Sequence, residues 1–213
     1  MNVQDMLYKT LYQEAHAEIE IERSIFIAHV KPVDSKEEAD SFLSDIKKKY
    51  KDATHNVPAM VIGDKFQIQW CSDDGEPAGT SGPPILQMLV KDGITNTIVV
   101  ITRYFGGIKL GTGGLVRAYV SAAKAGIENA GIAEVHEMRE DSYVFDYSFL
   151  DKIKNREKQG DFRIGDLQYS DKINMKIISA QSDADGIYGE LMNITGGAIL
   201  KTCSDTVYSK IKV

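Results

Sequence analysis

Alternation of apolar and polar residues predicts the first strands of this chain. From about Met6 the chain reaches residues 18–22, where strict alternation is typical of a half-exposed strand, and residues 23–30 predict a second one. Because the two follow each other directly, we expect them to pair as a hairpin.

Helical spacing replaces the alternation after this hairpin. Ser35 is followed three residues later by Glu38, the pattern of a capping box, and apolar residues recur at helical spacing up to the lysines at 47–49. Two further strands are predicted at residues 57–62 and 66–70 around a Gly-Asp turn, with Phe66, Ile68 and Trp70 on one face of the second.

A loop rich in glycine and proline, residues 73–84, then leads into a helix through Ile85 and Leu89. Residues 97–102 are apolar throughout, which predicts a central strand. A long amphipathic helix is predicted to begin near Gly113.

The last third of the chain predicts a compact unit of its own. We expect strands at 142–146, 162–169, 172–179 and 198–208, and helices at 147–159 and 183–195. This βαββαβ order is typical of a ferredoxin-like domain. We therefore predict an α+β protein with one domain at 1–137 and a second at 138–213.

Composition narrows the functional classes. The 213 residues carry a formal charge of −6 and are 43% hydrophobic, which suits a globular protein and argues against wholesale coating of nucleic acid. No apolar run reaches the length of a membrane span and no signal sequence is evident, so we expect a cytoplasmic protein without membrane contact. The two distant cysteines predict neither a disulfide nor a zinc site.

A glycine-rich run carries the clearest functional signal. Residues 94–126 contain no carboxylate, yet several cations surround five glycines between a predicted strand and a predicted helix. The start of a helix offers unpaired N–H groups and partial positive charge, so this region can receive phosphate or another small anion. The candidate residues for binding an anion or nucleic acid are Arg103, Tyr104, Gly106, Gly107, Lys109, Gly111, Gly113, Gly114, Arg117 and Tyr119.

The glycine-rich run does not match either of two common nucleotide-binding motifs. Thr112 stands where a P-loop requires lysine, and Val116 stands where a dinucleotide fingerprint requires its third glycine. The glycines also fit a purely structural role, since they allow positive φ and close packing. Tyr104 and Tyr119 can stack on bases or serve as core residues.

The acidic loop leaves two interpretations open. Carboxylates beside a histidine can do acid–base work facing the basic loop, or they can form turns and pair with Arg103. The candidate residues are His55, Asp73, Asp74, Glu76 and Thr80. Their spacing matches no metal loop, so we predict no metal and no cofactor, and we assign no catalytic residue.

Residues 73–84 and 103–119 together resemble the paired signatures of the IMPACT/YigZ family. The resemblance implies an N-terminal domain like domain 2 of ribosomal protein S5 and a ferredoxin-like C-terminal domain. The eukaryotic namesake is a translational regulator, so RNA, the ribosome or a translation factor are the implied partners. The chain starts almost directly at the first strand, so we expect no counterpart of the eukaryotic RWD domain.

The leading hypothesis is a translation-linked regulatory or binding protein that holds nucleic acid or a ribosomal partner in a glycine-rich cleft, and we consider an enzyme less favoured. The alternative is an enzyme acting on a small phosphorylated or acidic metabolite, with Asp74 or Glu76 as its base or as a metal ligand. A protein-binding adaptor using the C-terminal sheet is a third possibility.

Overall fold

A computed structural model describes residues 6–213 and contains two sheets and five α-helices in that part of the chain. The strands are β1 (Met6–Leu11), β2 (Ala15–Ile21), β3 (Ser24–Pro32), β4 (His55–Ile62), β5 (Ile68–Cys71), β6 (Thr97–Tyr104), β7 (Ile132–Phe145), β8 (Phe162–Tyr169), β9 (Ile173–Ser179) and β10 (Leu200–Lys212). The helices are α1 (Lys36–Lys49), α2 (Gly82–Lys91), α3 (Gly111–Ala130), α4 (Leu150–Glu157) and α5 (Ala184–Thr195). The predicted α+β class is confirmed.

The residues form two compact units. The N-terminal unit comprises Leu7–Val135 together with Lys210–Val213. The C-terminal unit comprises His136–Ser209 together with Met6. Strand β7 contributes to both units and also pairs with β1. None of the helices in residues 6–213 combines the length and the hydropathy that a membrane crossing requires.

The N-terminal unit is built on an antiparallel sheet with the order β2-β3-β6-β4-β5. The predicted hairpin of β2 and β3 is confirmed, and so is the central place of β6 between β3 and β4. Both faces of β6 are covered by other parts of the unit, which is why the strand is apolar at consecutive positions and does not alternate.

Alternation along each strand divides the core of this sheet between its two faces. Val57, Ala59 and Val61 pack with residues of α2 and α3 on one face. Met60 and Ile62 pack with α1 on the other face. The positions of α2 and α3 follow from this pattern, and they bring the acidic loop before α2 and the glycine run before α3 to one side of the sheet.

The C-terminal unit has the sheet order β10-β7-β9-β8 with α4 and α5 as its helices. In this βαββαβ succession the first strand lies between the last and the third, which is the ferredoxin-like arrangement. Its core joins Phe145 and Met175 of the sheet to Ile153 of α4 and Leu191 of α5. The predicted element order of this unit is confirmed.

The start of α1 has the predicted Ser35 cap, and Glu38 reaches back to Asp34, one residue further than in a standard capping box. The Ser35 hydroxyl accepts a hydrogen bond from the Glu38 N–H at 3.2 Å, and Glu38 accepts one from the Asp34 N–H at 3.1 Å. Two of the helix-entry N–H groups are thereby paired by side chains only three residues apart, which is why the sequence alone predicts this boundary.

Two of the predicted strand boundaries are wrong because turns replace strand ends. Glu22 and Arg23, assigned to the first two strands, form the hairpin turn with φ of 48° and 64°. Phe66, predicted to share a strand face with Ile68 and Trp70, also has positive φ and lies outside β5. Its ring packs against the core while the other two side chains are largely exposed, since β5 is an edge strand.

The largest difference concerns β7. The sequence predicts a strand only at 142–146, but β7 runs unbroken from Ile132 to Phe145, through the segment where we expected a domain boundary. Pairing with neighbours distant in sequence stabilises this length, and such pairing leaves no local signal. The predicted helix at 147–159 is divided into a 3-10 turn, Tyr147–Phe149, and α4.

Candidate functional site

The acidic loop begins with a carboxylate that caps a helix. Asp73 Oδ1 accepts hydrogen bonds from the Ser81 N–H at 3.1 Å, the Gly82 N–H at 3.0 Å and the Ser81 hydroxyl at 2.6 Å, and Oδ2 accepts one from the Gly79 N–H at 2.8 Å. Burial alone would raise the pKa of Asp73, but these bonds outweigh it and the pKa lies below its ordinary value. Asp73 thus stabilises the start of α2.

Asp74 fastens the loop to β4 and α1. One carboxylate oxygen accepts from the Asn56 N–H and the other pairs with Lys47 Nζ, both at 2.7 Å. The Asp74 carbonyl oxygen lies 2.8 Å from His55 Nδ1. Since both of its carboxylate oxygens already have partners, Asp74 holds the loop in place and is not free to act as a base.

Glu76 lies in a buried ion pair that joins the acidic loop to the glycine run. Its Oε1 accepts from Arg103 Nη1 at 2.5 Å and from the Tyr119 hydroxyl at 2.6 Å, while Oε2 lies 3.8 Å from His55 Nε2. All of Arg103, Glu76 and Tyr119 are less than 9% exposed. The structure therefore brings the acidic loop and the glycine run together through the pairing with Arg103 that the sequence suggested.

This pairing changes the expected roles of two candidates. The Arg103 guanidinium is buried against Glu76 and lies within 5.5 Å of the ring centroids of Phe26 and Phe105, so Glu76 compensates its charge. Tyr119 is fully buried and has no free ring face for a base. Burial, and then the hydrogen bond and charge of Glu76, raise the pKa of Tyr119 far above its ordinary value. Arg103 lines the pocket, whereas Tyr119 is a core residue that supports Glu76 from within.

The glycine run makes a close approach that only glycine permits. A Cβ on Gly106 would lie 2.0 Å from the carbonyl oxygen of Arg23, in the turn between β2 and β3. The Gly106 N–H donates to the Ser24 hydroxyl at 3.2 Å, so the run is held against this turn. Gly111, with φ of 68°, then reverses the chain into α3.

Among the residues that the structure describes, no side chain caps the start of α3. The residue before it, Leu110, offers no hydrogen-bonding side chain, and the first turn contains no acidic residue. Gly111 and Thr112 line a pocket of about 370 Å³ with Arg103 and Glu76 at its floor. The partial positive charge of the helix start therefore lies beside a cavity rather than beside a carboxylate cap.

Exposed cations surround this entrance. Lys109 lines the 370 Å³ pocket and, together with Arg117, a neighbouring depression of about 510 Å³. Arg117 and Lys124 are exposed on α3, and Phe105 and Ile108 are exposed in the loop. We call the two depressions and these exposed residues the glycine-loop cleft.

The remaining candidates lie around its edges. Tyr104 donates a hydrogen bond to Asp52 at 3.2 Å, and the Thr80 hydroxyl donates to the Pro77 carbonyl at 2.7 Å inside the acidic loop. Gly107, Gly113 and Gly114 belong to the run and the first turn of α3. Thr80 is buried, so its role is to close a turn.

Sequence reasoning missed three residues of this site. Ser24 contacts both Arg103 and Gly106, Lys47 pairs with Asp74, and Thr54 accepts from the Phe105 N–H. Each is at least 27 positions from its partner. Such contacts leave no local pattern, so a single sequence gives no signal for them.

Neither a cysteine nucleophile nor a metal site has support in the geometry of the described residues. Burial, and then the charge of Asp73, raise the pKa of Cys71, which disfavours the nucleophilic thiolate. Among residues 6–213, no three histidine, cysteine or carboxylate side chains are grouped as metal ligands.

Comparison with known proteins places this site inside a recognised domain. The model of the Impact N-terminal domain matches residues 22–127, which include both loops. The IMPACT family member YvyE of Bacillus subtilis is 38% identical over 89% of this chain and 88% of its own length. The IMPACT family member YigZ of Escherichia coli is 45% identical over 47% of this chain, which corresponds to half of YigZ.

Similarity extends to solved structures and to mammalian proteins. A crystal structure of a hypothetical protein is 28% identical, with a TM-score of 0.58 over 92% of this chain and 96% of that one. Mouse Protein IMPACT is 40% identical over 42% of this chain and 29% of the mouse protein. The sequence match to YvyE spans nearly the whole of both proteins and includes the residues that build the glycine-loop cleft. The chain therefore belongs to the IMPACT family.

Proposed function

We propose that this chain is a translation-linked binding protein that holds RNA phosphate in the glycine-loop cleft. The observation that carries the proposal is the open start of α3, which has no side-chain cap and lines a pocket between the two loops. Phosphate is the ligand that such a helix start favours, because N–H groups and the helix dipole point at the same place.

The distribution of charge supports an anion rather than a cation. Lys109, Arg117 and Lys124 are exposed in or beside the cleft and outnumber the exposed carboxylate of its lining, Glu22, while Glu76 is neutralised by Arg103 at its floor. Exposed Phe105 adds an aromatic ring on which an unpaired base can stack. Membership of the IMPACT family supports the link to translation by analogy.

A charge reversal tests this function. Lys109→Glu should weaken the binding of single-stranded RNA and the cosedimentation with ribosomes about tenfold, because a phosphate contact is replaced by repulsion. Lys65→Glu is the matched control, since Lys65 is equally exposed but lines neither depression. Equal effects of the two substitutions, or no effect of either, would contradict the proposal.

An enzyme acting on a small phosphorylated metabolite is the second candidate. The 370 Å³ pocket favours it, since this volume suits a small molecule and Glu76 lies at the floor. Against it, Asp73 and Asp74 have their carboxylate oxygens occupied by N–H, hydroxyl and ammonium groups. A thermal-shift screen with nucleotides and sugar phosphates separates the two. A saturable rise of several degrees with one of these metabolites would favour the enzyme.

A further inference from the structure

The turn between β2 and β3 brings a carboxylate into the glycine-loop cleft. Glu22 lines the 510 Å³ depression together with Lys109 and Arg117, and all three side chains are exposed. Within residues 6–213, none of these three side chains forms an ion pair or a hydrogen bond. One negative and two positive groups therefore lie in a single depression and are available to a ligand.

The backbone at Glu22 is unfavourable for a residue that carries a side chain. Glu22 and Arg23 are the two loop residues of the β2–β3 hairpin, and both have positive φ, 48° and 64°. Two-residue turns of this kind prefer Asn-Gly and similar pairs, because a Cβ disfavours the left-handed conformation. The glutamate thus costs stability at this position, and strain of this kind is common at functional sites.

The same turn is held firmly against the glycine run. The Arg23 carbonyl oxygen would lie 2.0 Å from a Cβ on Gly106, and the Gly106 N–H donates to the Ser24 hydroxyl at 3.2 Å. The Ser24 hydroxyl in turn lies 3.4 Å from Arg103 Nη2. These contacts fix the backbone next to Glu22 relative to the run that carries Lys109.

A carboxylate in a cleft that attracts anions opposes phosphate binding unless the ligand also brings a hydrogen-bond donor. In an RNA strand each phosphate has a ribose 2′-hydroxyl nearby, and this hydroxyl can donate to a carboxylate. A DNA strand brings the same phosphates without the donor. Lys109 and Arg117 are therefore suited to both strands, whereas Glu22 is suited only to RNA.

We propose that Glu22 selects RNA over DNA by accepting a hydrogen bond from a ribose 2′-hydroxyl. The proposal rests on the proposed function, in which Lys109 and Arg117 hold the neighbouring phosphates. Two effects of Glu22 act in the same direction, since its carboxylate pairs with RNA and repels the DNA backbone. The strained glutamate in the turn then has a role that asparagine or glycine, the residues favoured by the backbone, would not fill.

Matched oligomers test whether the 2′-hydroxyl is recognised. Oligouridylate, its 2′-deoxy form and its 2′-O-methyl form can be made with the same length, bases and phosphates. By fluorescence anisotropy, we expect the protein to bind oligouridylate about tenfold more tightly than either other form, because both lack the donor to a charged acceptor.

The 2′-O-methyl oligomer separates the hydroxyl from the shape of the strand, because it keeps the sugar conformation of RNA. If it binds as tightly as oligouridylate, shape is recognised and the proposal is overturned. Equal binding of the ribo and deoxy forms would also overturn it, yet would leave phosphate binding in the cleft standing. Failure of all three forms to bind would contradict the proposed function as well.

Two substitutions assign the discrimination to Glu22. Glu22→Gly removes the carboxylate and suits the positive φ, so its melting temperature should stay close to that of wild type. We expect its preference for oligouridylate over the deoxy form to fall from about tenfold to about twofold or less, with tighter binding of the deoxy form. Glu20→Gln removes the same charge two residues away, on an exposed side chain of β2 that lines neither depression. An unchanged preference in Glu22→Gly, or an equal loss in Glu20→Gln, would overturn the proposal.

Discussion

A single buried carboxylate determines how the glycine-loop cleft is charged. Glu76 takes hydrogen bonds from Arg103 and Tyr119 on the same oxygen, at 2.5 and 2.6 Å. If Arg103 were unpaired, the cleft would have a strong cation at its floor. With Glu76 present, the available positive charge lies at the rim, on Lys109 and Arg117.

Removal of this carboxylate should destabilise the fold. We expect Glu76→Ala to lower the free energy of unfolding by about 3–5 kcal/mol, because it leaves the Arg103 charge buried without a partner. Urea denaturation measures the change, and Glu18→Ala on the exposed face of β2 is the control. A loss below about 1 kcal/mol would mean that Arg103 finds solvent or another partner.

His29 should make stability depend on acid pH. Its pKa is lowered from 6.5 to about 4 by burial, and then by Lys49 and His16, so the unfolded chain binds a proton more readily than the fold. The free energy of unfolding should therefore fall as pH decreases from 6.5 to about 4, by roughly 3 kcal/mol from this group, and be unaffected by it above pH 6.5.

The substitution His29→Gln isolates this effect. Carboxylates titrate in the same range in both proteins, so only the difference between their stability curves reports on His29. Urea denaturation at several pH values should show wild-type protein losing stability faster than the variant on acidification. Parallel curves would refute the assignment.

At the scale of elements, α2 and α3 differ at their starts although both follow glycine-rich loops. Asp73 accepts hydrogen bonds from the N–H groups of Ser81 and Gly82, eight and nine positions later, at the entrance of α2. No side chain caps α3. The uncapped helix is the one whose first turn lines the 370 Å³ pocket, which is why we assign the ligand to α3.

The contribution of the Asp73 cap to the stability of the protein should be measurable with a single substitution. We expect Asp73→Ala to lower the free energy of unfolding by about 1–3 kcal/mol, since four hydrogen bonds lose their acceptor. Asp92→Ala at the opposite end of α2 is the matched control, and it should be within about 0.5 kcal/mol of wild type because Asp92 is exposed. Equal losses in the two variants would exclude the capping role.

At the scale of the whole molecule, charge is distributed unevenly. The chain has a formal charge of −6, yet residues 94–126 carry only cations among their charged side chains. A nucleic acid should therefore be attracted at one place and repelled elsewhere. Such a protein binds a short segment rather than coating a strand.

This distribution predicts a shallow salt dependence. With Lys109, Arg117 and Lys124 as the phosphate contacts, the logarithm of the RNA association constant should fall against the logarithm of salt concentration with a slope of about −2. Filter binding from about 50 to 200 mM salt measures it. A slope steeper than about −5 would indicate contacts along a much longer stretch of backbone.

Local patterns predicted much of this architecture. The Ser35–Glu38 capping box, the alternation of β2 and the unbroken apolar run of β6 each depend on neighbours within a few residues. Their physical causes, helix capping and the two-residue period of a strand, act over the same distance. For that reason these elements could be predicted from the sequence, and the paired loop motifs were sufficient to suggest the family.

The sequence by itself determined the α+β class, the order of most elements and the residues of the two loops. Only the tertiary structure decided that the loops meet, that Arg103 is neutralised by Glu76 and that His29 is buried with an unpaired nitrogen. These outcomes depend on packing between residues distant in sequence, such as Glu76 and Arg103, which are 27 positions apart. Charge and burial at such sites are set by neighbours that only the folded chain brings together.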